Sequence, residues 1–440
     1  MRAKDIIRLE WVIVGLIIPF LMFPTVIPRV TAMSLGVLVL WWGMRGIWRH
    51  EIWPVTPFNG VLLLFVLSIL LSSIITPLPE LSLPKITNLI LGLAVFRVIA
   101  WHVHDNRSLL LAVGALLVLG LGMIGIGMLS VAWSSKLPFL RPWLQHLPHT
   151  SLRLPELSEQ RGVNPNQLGG VLAFYTPLVI GLAGYKRQPQ GILTSWGVRL
   201  CLWAIALFSS AILVLTQSRS GWAGGLAGIA VVVWYRWHTV RYSAWRRGLA
   251  LALVLVLLGA LVMYAPLMWS TMEGLVQDVL DDGIVASPWG RINVRDRTEI
   301  WTHCVYILQD FPLTGLGLGT FRRFIRVLYP FVYVPSAASL YHAHNVFLHV
   351  GTDLGFLGLI AYISLLLVGV WVIVRVGRIN VEQQGVLYSI GAAFLGYHVY
   401  GMTDTLSLGS KPALLLWMAL GLMAAISHMA YTRTYIEEET

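Results

Sequence analysis

Apolar runs follow one another along this chain with short polar breaks, each close to the ~20 residues that a helix needs to cross a bilayer. They fall at about 10–27, 32–48, 58–75, 86–102, 108–132, 167–184, 193–216, 221–236, 248–267, 345–373, 384–402 and 411–429. The pattern predicts an all-α polytopic membrane protein of about twelve transmembrane helices. Proline marks the early ends at Pro24, Pro28, Pro54 and Pro57. Nine runs precede one long polar stretch and three follow it. The chain therefore divides into spans one to nine at 1–267, a loop subdomain at 268–344, and spans ten to twelve with a tail at 345–440. The large loop lies between spans nine and ten, and a loop of that length on a membrane protein points to function.

The polar stretches have patterns of their own. A helix is predicted from about Arg295 to Gln309, with Arg297 and Trp301 four apart on one face. A second helix is predicted near Thr320, after the glycine turns of GLGLGTFRRF (Gly315–Phe324). The earlier loop, 133–166, carries Trp133, Phe139, Leu140, Trp143 and Leu144, which fit a short amphipathic helix along the interface. It ends in RGVNPNQLGG (Arg161–Gly170), where Asn-Pro signals a turn and Asn166 is placed to cap the sixth span.

Composition agrees with a membrane protein. The chain is 57% hydrophobic and only 12% charged, against about 25% charged in soluble proteins. A net charge of +11 in a soluble chain would suggest nucleic acid. Here the Lys and Arg sit mostly in short loops, so the charge reports membrane orientation and no nucleic-acid partner is expected. Clusters at Arg2/Lys4/Arg8, Arg45/Arg49, Arg107, Lys186/Arg187/Arg199, Arg236/Arg241/Arg246/Arg247, Arg375/Arg378 and Arg433 fall on one side of a twelve-span layout. That side is expected to be the cytoplasm, with both termini inside. Segments 76–85, 133–166, 217–220, 268–344 and 403–410 then face outward. No cleavable signal is evident. Cys201 in an apolar run and Cys304 in the long loop are not expected to pair.

Candidate chemistry collects on the outward side. Arg219, in LVLTQSRSGWAGGLAGIA (Leu213–Ala230), lies between two apolar runs where orientation gives it no role. It is either an interfacial side chain reaching lipid phosphates or an anion ligand, since guanidinium matches phosphate oxygens two at a time. Gly221, Gly224 and Gly225 allow a helix or lipid to approach closely. Arg295 and Arg297 either pair with Asp296, Glu299 or Asp310, or add to the cationic site. His342 and His344 stand before Asn345 at the head of span ten. With no Cys or nearby carboxylate pair to complete a set, no metal is expected. His344 is either a satisfied interfacial histidine or a proton acceptor. Asn345 caps the helix or orients the imidazole. Asp353, inside span ten, needs a partner. Asp404, in YGMTDTLSLGSKP (Tyr400–Pro412), is near Lys411 and available to pair with it. Arginines and an imidazole at one level of an apolar protein suit a phosphate-bearing lipid better than a small cation.

In these residues the chain resembles the O-antigen ligase and O-antigen polymerase-like family. The resemblance rests on SRSGW (Ser218–Trp222), RTEIW (Arg297–Trp301), DFPLTGLGLGTF (Asp310–Phe321), HAHNVFLHVGTDLGFLG (His342–Gly358) and NPNQLG (Asn164–Gly169). It is strong over roughly 160–375. It implies a metal-independent membrane glycosyltransferase of GT-C type, without cofactor. Such an enzyme joins a glycan carried on undecaprenyl diphosphate to an acceptor hydroxyl at the outer (periplasmic) face of the bacterial inner membrane. By position, Arg219 resembles the family's first essential arginine, Arg297 the arginine before the loop tryptophan, and His344 the essential histidine. Asp353 stands where many members have Glu. The chain also resembles cyanobacterial proteins of this family described as bicarbonate transporters.

The resulting expectation is an inverting, O-antigen ligase-like transferase that acts as a monomer on a lipid-linked glycan and a lipid or saccharide acceptor, within membrane lipids. A polymerase of the same family and a solute transporter are the alternatives. His344, Arg219 and Arg297 are the expected catalytic residues. Arg295, Asp404, Asn345, Trp301, His342 and Asn166 are the expected substrate contacts.

Overall fold

The computed structural model describes residues 3–50, 52–131, 133, 164–184, 195–239, 284–287, 290–335, 340–379 and 382–439. Eleven of the twelve predicted spans coincide with helices: α1 (Ala3–Met22), α2 (Pro28–Arg49), α3 (Asn59–Ile75), α4 (Pro79–His102), α5 (Asn106–Ser130), α6 (Pro165–Gly184), α7 (Trp196–Leu215), α8 (Arg219–Thr239), α11 (Val346–Ile379), α12 (Gln384–Gly401) and α13 (Leu414–Glu439). The twelfth, 248–267, and the amphipathic helix expected within 133–166 lie outside the described residues. Among the described residues, seven helices are long and apolar enough to cross a membrane. The protein is a multi-pass helical membrane protein.

The long loop contributes α9 (Val294–Asp310) and α10 (Phe321–Leu328), both where the sequence predicts them. It also carries a hairpin that the all-α reading misses: β1 (Ile284–Ser287) and β2 (Gly290–Asn293) pair antiparallel, with Ser287 opposite Gly290. α4 starts several residues before its apolar run because Pro79 sits in its first turn, where a missing N–H costs nothing. Both described cysteines are free thiols.

Small residues let three helices touch backbone to backbone. A Cβ on Gly224 of α8 would lie 2.4 Å from the Gly396 carbonyl oxygen of α12, and one on Gly396 would lie 2.3 Å from the Ala173 oxygen of α6. This close α6–α8–α12 packing is the helix approach that the glycines after Arg219 suggest.

One end of α1, α2 and α4 converges on a fully buried Glu10, which ion-pairs with Arg97 and Arg45 and lies 2.6 Å from His102 Nε2. Arg45 therefore does more than set orientation: it is 8% exposed and bound to a carboxylate. The opposite ends of α1 and α4 lie beside the heads of α6 and α11, and that level holds the candidate site.

α11 is interrupted. Gly355 has φ 69° and ψ −169°, and the helix bends there. The glycine run before α10 docks on the break. Phe356 N–H donates to the Pro312 oxygen at 2.7 Å, and Leu316 N–H to the Thr352 oxygen at 2.8 Å. Ser72 and Ser82 hydroxyls donate to the Asp353 and Leu318 carbonyl oxygens, joining α3 and α4 to the same junction. The loop before α10 is thus a clamp on a broken span. Broken backbone at membrane depth survives only where such partners satisfy it.

Candidate functional site

The site is built at the head of α11. Asn345 is its N-cap: its Oδ1 accepts from the backbone N–H of Phe347 and Leu348 at 3.0 and 3.1 Å. Its Nδ2 donates to the Met402 oxygen at 3.0 Å, tying the cap to the α12–α13 turn. Asn345 therefore holds the helix and the turn rather than an imidazole. His344 sits just before it with φ 50°, a left-handed conformation uncommon outside glycine. Trp301 helps to hold it there. The indole N–H donates to the oxygen of fully buried Ala343 at 2.9 Å.

Asp404 comes from the α12–α13 turn and is 2% exposed. Its Oδ1 lies 3.5 Å from His344 Nδ1 and 3.7 Å from His342 Nε2. Burial alone would raise this carboxyl's pKa, but His344, His342 and the Thr405 N–H outweigh it and hold the group below its ordinary range. Burial pushes the His342 imidazole down to about 3, against the pull of Asp404. His342 is neutral, and His344 N–H points to its Nδ1 at 3.3 Å. The ring proton therefore sits on Nε2, toward Asp404. Lys411, expected near Asp404, places its ammonium 4.3 Å over the Phe23 ring instead.

Donor atoms of His342, His344 and Asp404 fall within 4.8 Å of one another, as a metal set would. The tautomer of His342 does not suit that role. A ligating histidine donates from its second nitrogen, whereas this one accepts there, and the nitrogen facing the cluster carries the proton.

The two arginines arrive from other elements. Arg219 is the first residue of α8 and is exposed. Its neighbour Ser220 accepts a hydrogen bond from Thr403, which adjoins Asp404, at 2.8 Å. Arg297 lies on α9, one turn before Trp301. The Arg219 guanidinium is held below its ordinary pKa, first by partial burial and then by the positive charge of Arg297. Two acids that the sequence offers to Arg297 are committed elsewhere. Glu299 accepts from the backbone N–H groups of Val332, Tyr333 and Val334 at 2.5–3.0 Å, and Asp310 accepts from the Tyr329 hydroxyl. Among the described residues, neither Arg219 nor Arg297 has an ion-pair partner. Two neighbouring guanidinium groups, neither with a described ion-pair partner, can hold an anion between them.

Arg295 also lies on α9, but its side chain is outside the described residues. Asn166 is inside α6, and the cap belongs to Asn164, whose Oδ1 accepts the Asn166 N–H at 2.9 Å. Pro165 takes the first helical position, so the cap falls before the proline.

Sequence reasoning did not single out Lys85, near the start of α4. Its Nζ lies 3.4 Å from Asp353 Oδ2 and 3.3 Å from His349 Nε2. The partner that a carboxylate inside span ten requires is therefore this lysine. A cation at the edge of one apolar run and a carboxylate inside another was the available signal.

If Trp301 holds the His344 loop, Trp301→Phe should keep donor affinity and lower turnover by about tenfold. It would leave one buried carbonyl unpaired, at a cost of about 1–3 kcal/mol in stability. An equal fall in donor affinity, measured by titration, would place the indole at the substrate instead.

The fold and site define a multi-pass membrane protein with a cationic, histidine–carboxylate centre at one end of its helices. Residues 204–363 match the family model described as O-antigen ligase. Over these residues the chain is similar to that family, and the match supports a membrane enzyme that transfers glycans. It spans Arg219, Arg297, His342, His344 and Asp353, whereas Lys85 and Asp404 lie outside it. No curated protein matches the chain.

Proposed function

We propose that the protein transfers a glycan from a polyprenyl-diphosphate donor, of the undecaprenyl type, to an acceptor hydroxyl at the outward, periplasmic face of the inner membrane, in the manner of an O-antigen ligase. The observation that carries this reading is Arg219, beside Arg297, at a helix head tied through Ser220 to the turn that sets Asp404 next to His344. As the glycosidic bond breaks, its electron pair moves to the leaving diphosphate oxygen. Fixed guanidinium groups stabilise that growing charge more than they stabilise the ground state. With Nδ1–H of His344 turned to Asp404, Nε2 keeps its lone pair and takes the acceptor hydroxyl proton. The acceptor oxygen attacks the anomeric carbon opposite the diphosphate, so configuration inverts. Asp404 steadies the imidazolium that forms, and no step needs a metal or cofactor.

The test is purified protein with a defined lipid-diphosphate saccharide and hydroxyl acceptors, in EDTA. Product with inverted configuration is expected. No product with any acceptor, together with saturable bicarbonate uptake in proteoliposomes, would replace this reading with a transporter. Orientation has its own check. A cysteine introduced at Asp281 should react with an impermeant thiol reagent in intact spheroplasts, and reaction only after the inner membrane is breached would reverse the topology.

A further inference from the structure

One face of α9 is turned away from the site. Arg297 and Trp301 share the face that meets it, whereas Glu299, His303, Tyr306 and Asp310 recur at helical spacing on another. That second face grips the chain just after α10. Glu299 accepts three consecutive backbone N–H groups, from Val332, Tyr333 and Val334. Asp310 accepts from the Tyr329 hydroxyl. The His303 ring lies 4.5 Å from that of Phe331 and 5.7 Å from that of Tyr329. Arg326 of α10 closes the other side: Nη2 donates to the Pro335 oxygen at 2.7 Å, and the guanidinium carbon lies 5.2 Å over the Phe331 ring.

The turn held in this way carries apolar side chains outward. Tyr329–Pro335 reads YPFVYVP. Val332 is 82% exposed and Tyr333 53%, and Val327 in the last turn of α10 is 75% exposed. The charges beside them are of one sign. Between Asp310 and Asp353 the sequence has no Asp or Glu, and its only Lys or Arg are Arg322, Arg323 and Arg326. Arg323 is exposed and stands four residues before Val327, hence on the same face of α10. The loop clamp sets the height of this group. The Leu318 oxygen, just before α10, accepts from the Ser82 hydroxyl, and a Cβ on Gly319 would lie 2.8 Å from the Leu81 oxygen. The start of α10 therefore abuts the first turn of α4, at one end of a membrane span.

We propose that Val327–Tyr333 is an anchor in the lipid surface. The side chains of Val327, Val332 and Tyr333 enter the boundary between headgroups and acyl chains, and the α10 arginines meet anionic phospholipid headgroups. Apolar and aromatic side chains beside basic ones are the composition of an interfacial element. A turn entering that layer ordinarily brings unpaired N–H groups, each costly away from water. Here Glu299 has taken three of them, and Pro330 has none. The anchor does not depend on the transfer reaction proposed above. It gives α9, which bears Arg297, a fixed height at the membrane.

The experiment uses the full chain in nanodiscs of phosphatidylcholine and phosphatidylglycerol, with Cys201 and Cys304 replaced by alanine and a nitroxide spin label on Val332→Cys. Each variant is first checked for wild-type melting. Collisions of the label with oxygen, which favours lipid, are compared with those of a water-soluble nickel chelate. The chelate should collide about tenfold less often at 332 than at Asp281→Cys, the aqueous reference, while oxygen collides more often. Val327→Cys should behave like Val332→Cys. Adding Val332→Asp should return the label at 327 to the aqueous pattern, whereas Val332→Leu should not. Arg323→Glu, or discs without phosphatidylglycerol, should open the label at 332 to the chelate by about two- to fivefold. Chelate collisions at 332 equal to those at 281 would overturn the proposal. So would rare collisions with both reagents, which would mean that a second copy covers the turn, or indifference to both Arg323→Glu and lipid charge. Glycan transfer with no shielding at 332 would remove the anchor and leave the transferase reading, and shielding without transfer would do the reverse.

Discussion

His344→Ala is expected to lose glycan transfer by about 10²-fold or more while still binding donor, and Arg219→Ala to lose both transfer and donor affinity. A factor of 10² corresponds to about 2.7 kcal/mol of transition-state stabilisation, within the range for a general base or a donor to a developing oxyanion. The two variants differ because of position. In the proposed reaction Arg219, with Arg297, faces the donor anion whether or not the bond has begun to break. In the same reaction His344, whose Nδ1 lies 3.5 Å from Asp404 Oδ1, has a task only when the acceptor gives up its proton. Each variant must first be shown to reach the membrane folded, and donor binding is then measured separately from turnover. A folded His344→Ala with near-normal turnover would remove the imidazole from the chemistry.

Gly355→Ala should be the most damaging small substitution in the membrane region. At φ 69° and ψ −169° the backbone occupies a region that is essentially glycine-only. An added Cβ would lie 2.5 Å from the Leu313 carbonyl carbon and 2.6 Å from the Pro312 oxygen, backbone atoms that cannot rotate aside. Strain alone costs about 1–3 kcal/mol, and the clash adds the cost of lifting the loop clamp from the break. The expected result is a large fall in the melting temperature of detergent-purified protein, with much less folded material recovered. Gly351→Ala, which meets only the Leu308 side chain, its methyl groups at 3.1 and 3.2 Å, serves as the milder control. A Gly355→Ala protein with wild-type melting would mean that the clamp yields easily.

Spans were legible because each is an apolar run that reports its own environment, and α9 and α10 because their helical spacing and glycine stops are local. What the sequence hid depends on distant partners. Arg45 reads as an orientation charge in a short loop, and only the convergence of three helix ends reveals Glu10 beside it. Lys85 and Asp353 are 268 positions apart. Neither shows which opposite charge it meets. The cap moved from Asn166 to Asn164 because the proline between them takes the first helical position. The glycine run could be read as turns, but its docking on a broken helix could not, since Gly355 looks like one of many glycines in a span. Among the site residues, Arg219, Arg297, His344 and Asp404 stand out as polar groups at one outward level. The geometry adds that Asn345 and Trp301 hold backbone, and that Glu299 and Asp310 are engaged elsewhere.

The carboxylate of Glu10 also imposes an order on assembly during synthesis. Glu10 leaves the ribosome before its partners, with Arg45 following 35 positions later and His102 92 positions later. A buried charge without its counter-ion is destabilising by about 3–5 kcal/mol. The first helix therefore cannot settle in its final place when it emerges. It must wait at the membrane edge, or keep Glu10 protonated, until the second helix brings Arg45 and the fourth completes the set with Arg97. Insertion of the amino-terminal third is in this sense a single delayed event, and a nascent chain arrested before Arg97 should be held far less firmly than one arrested just after it.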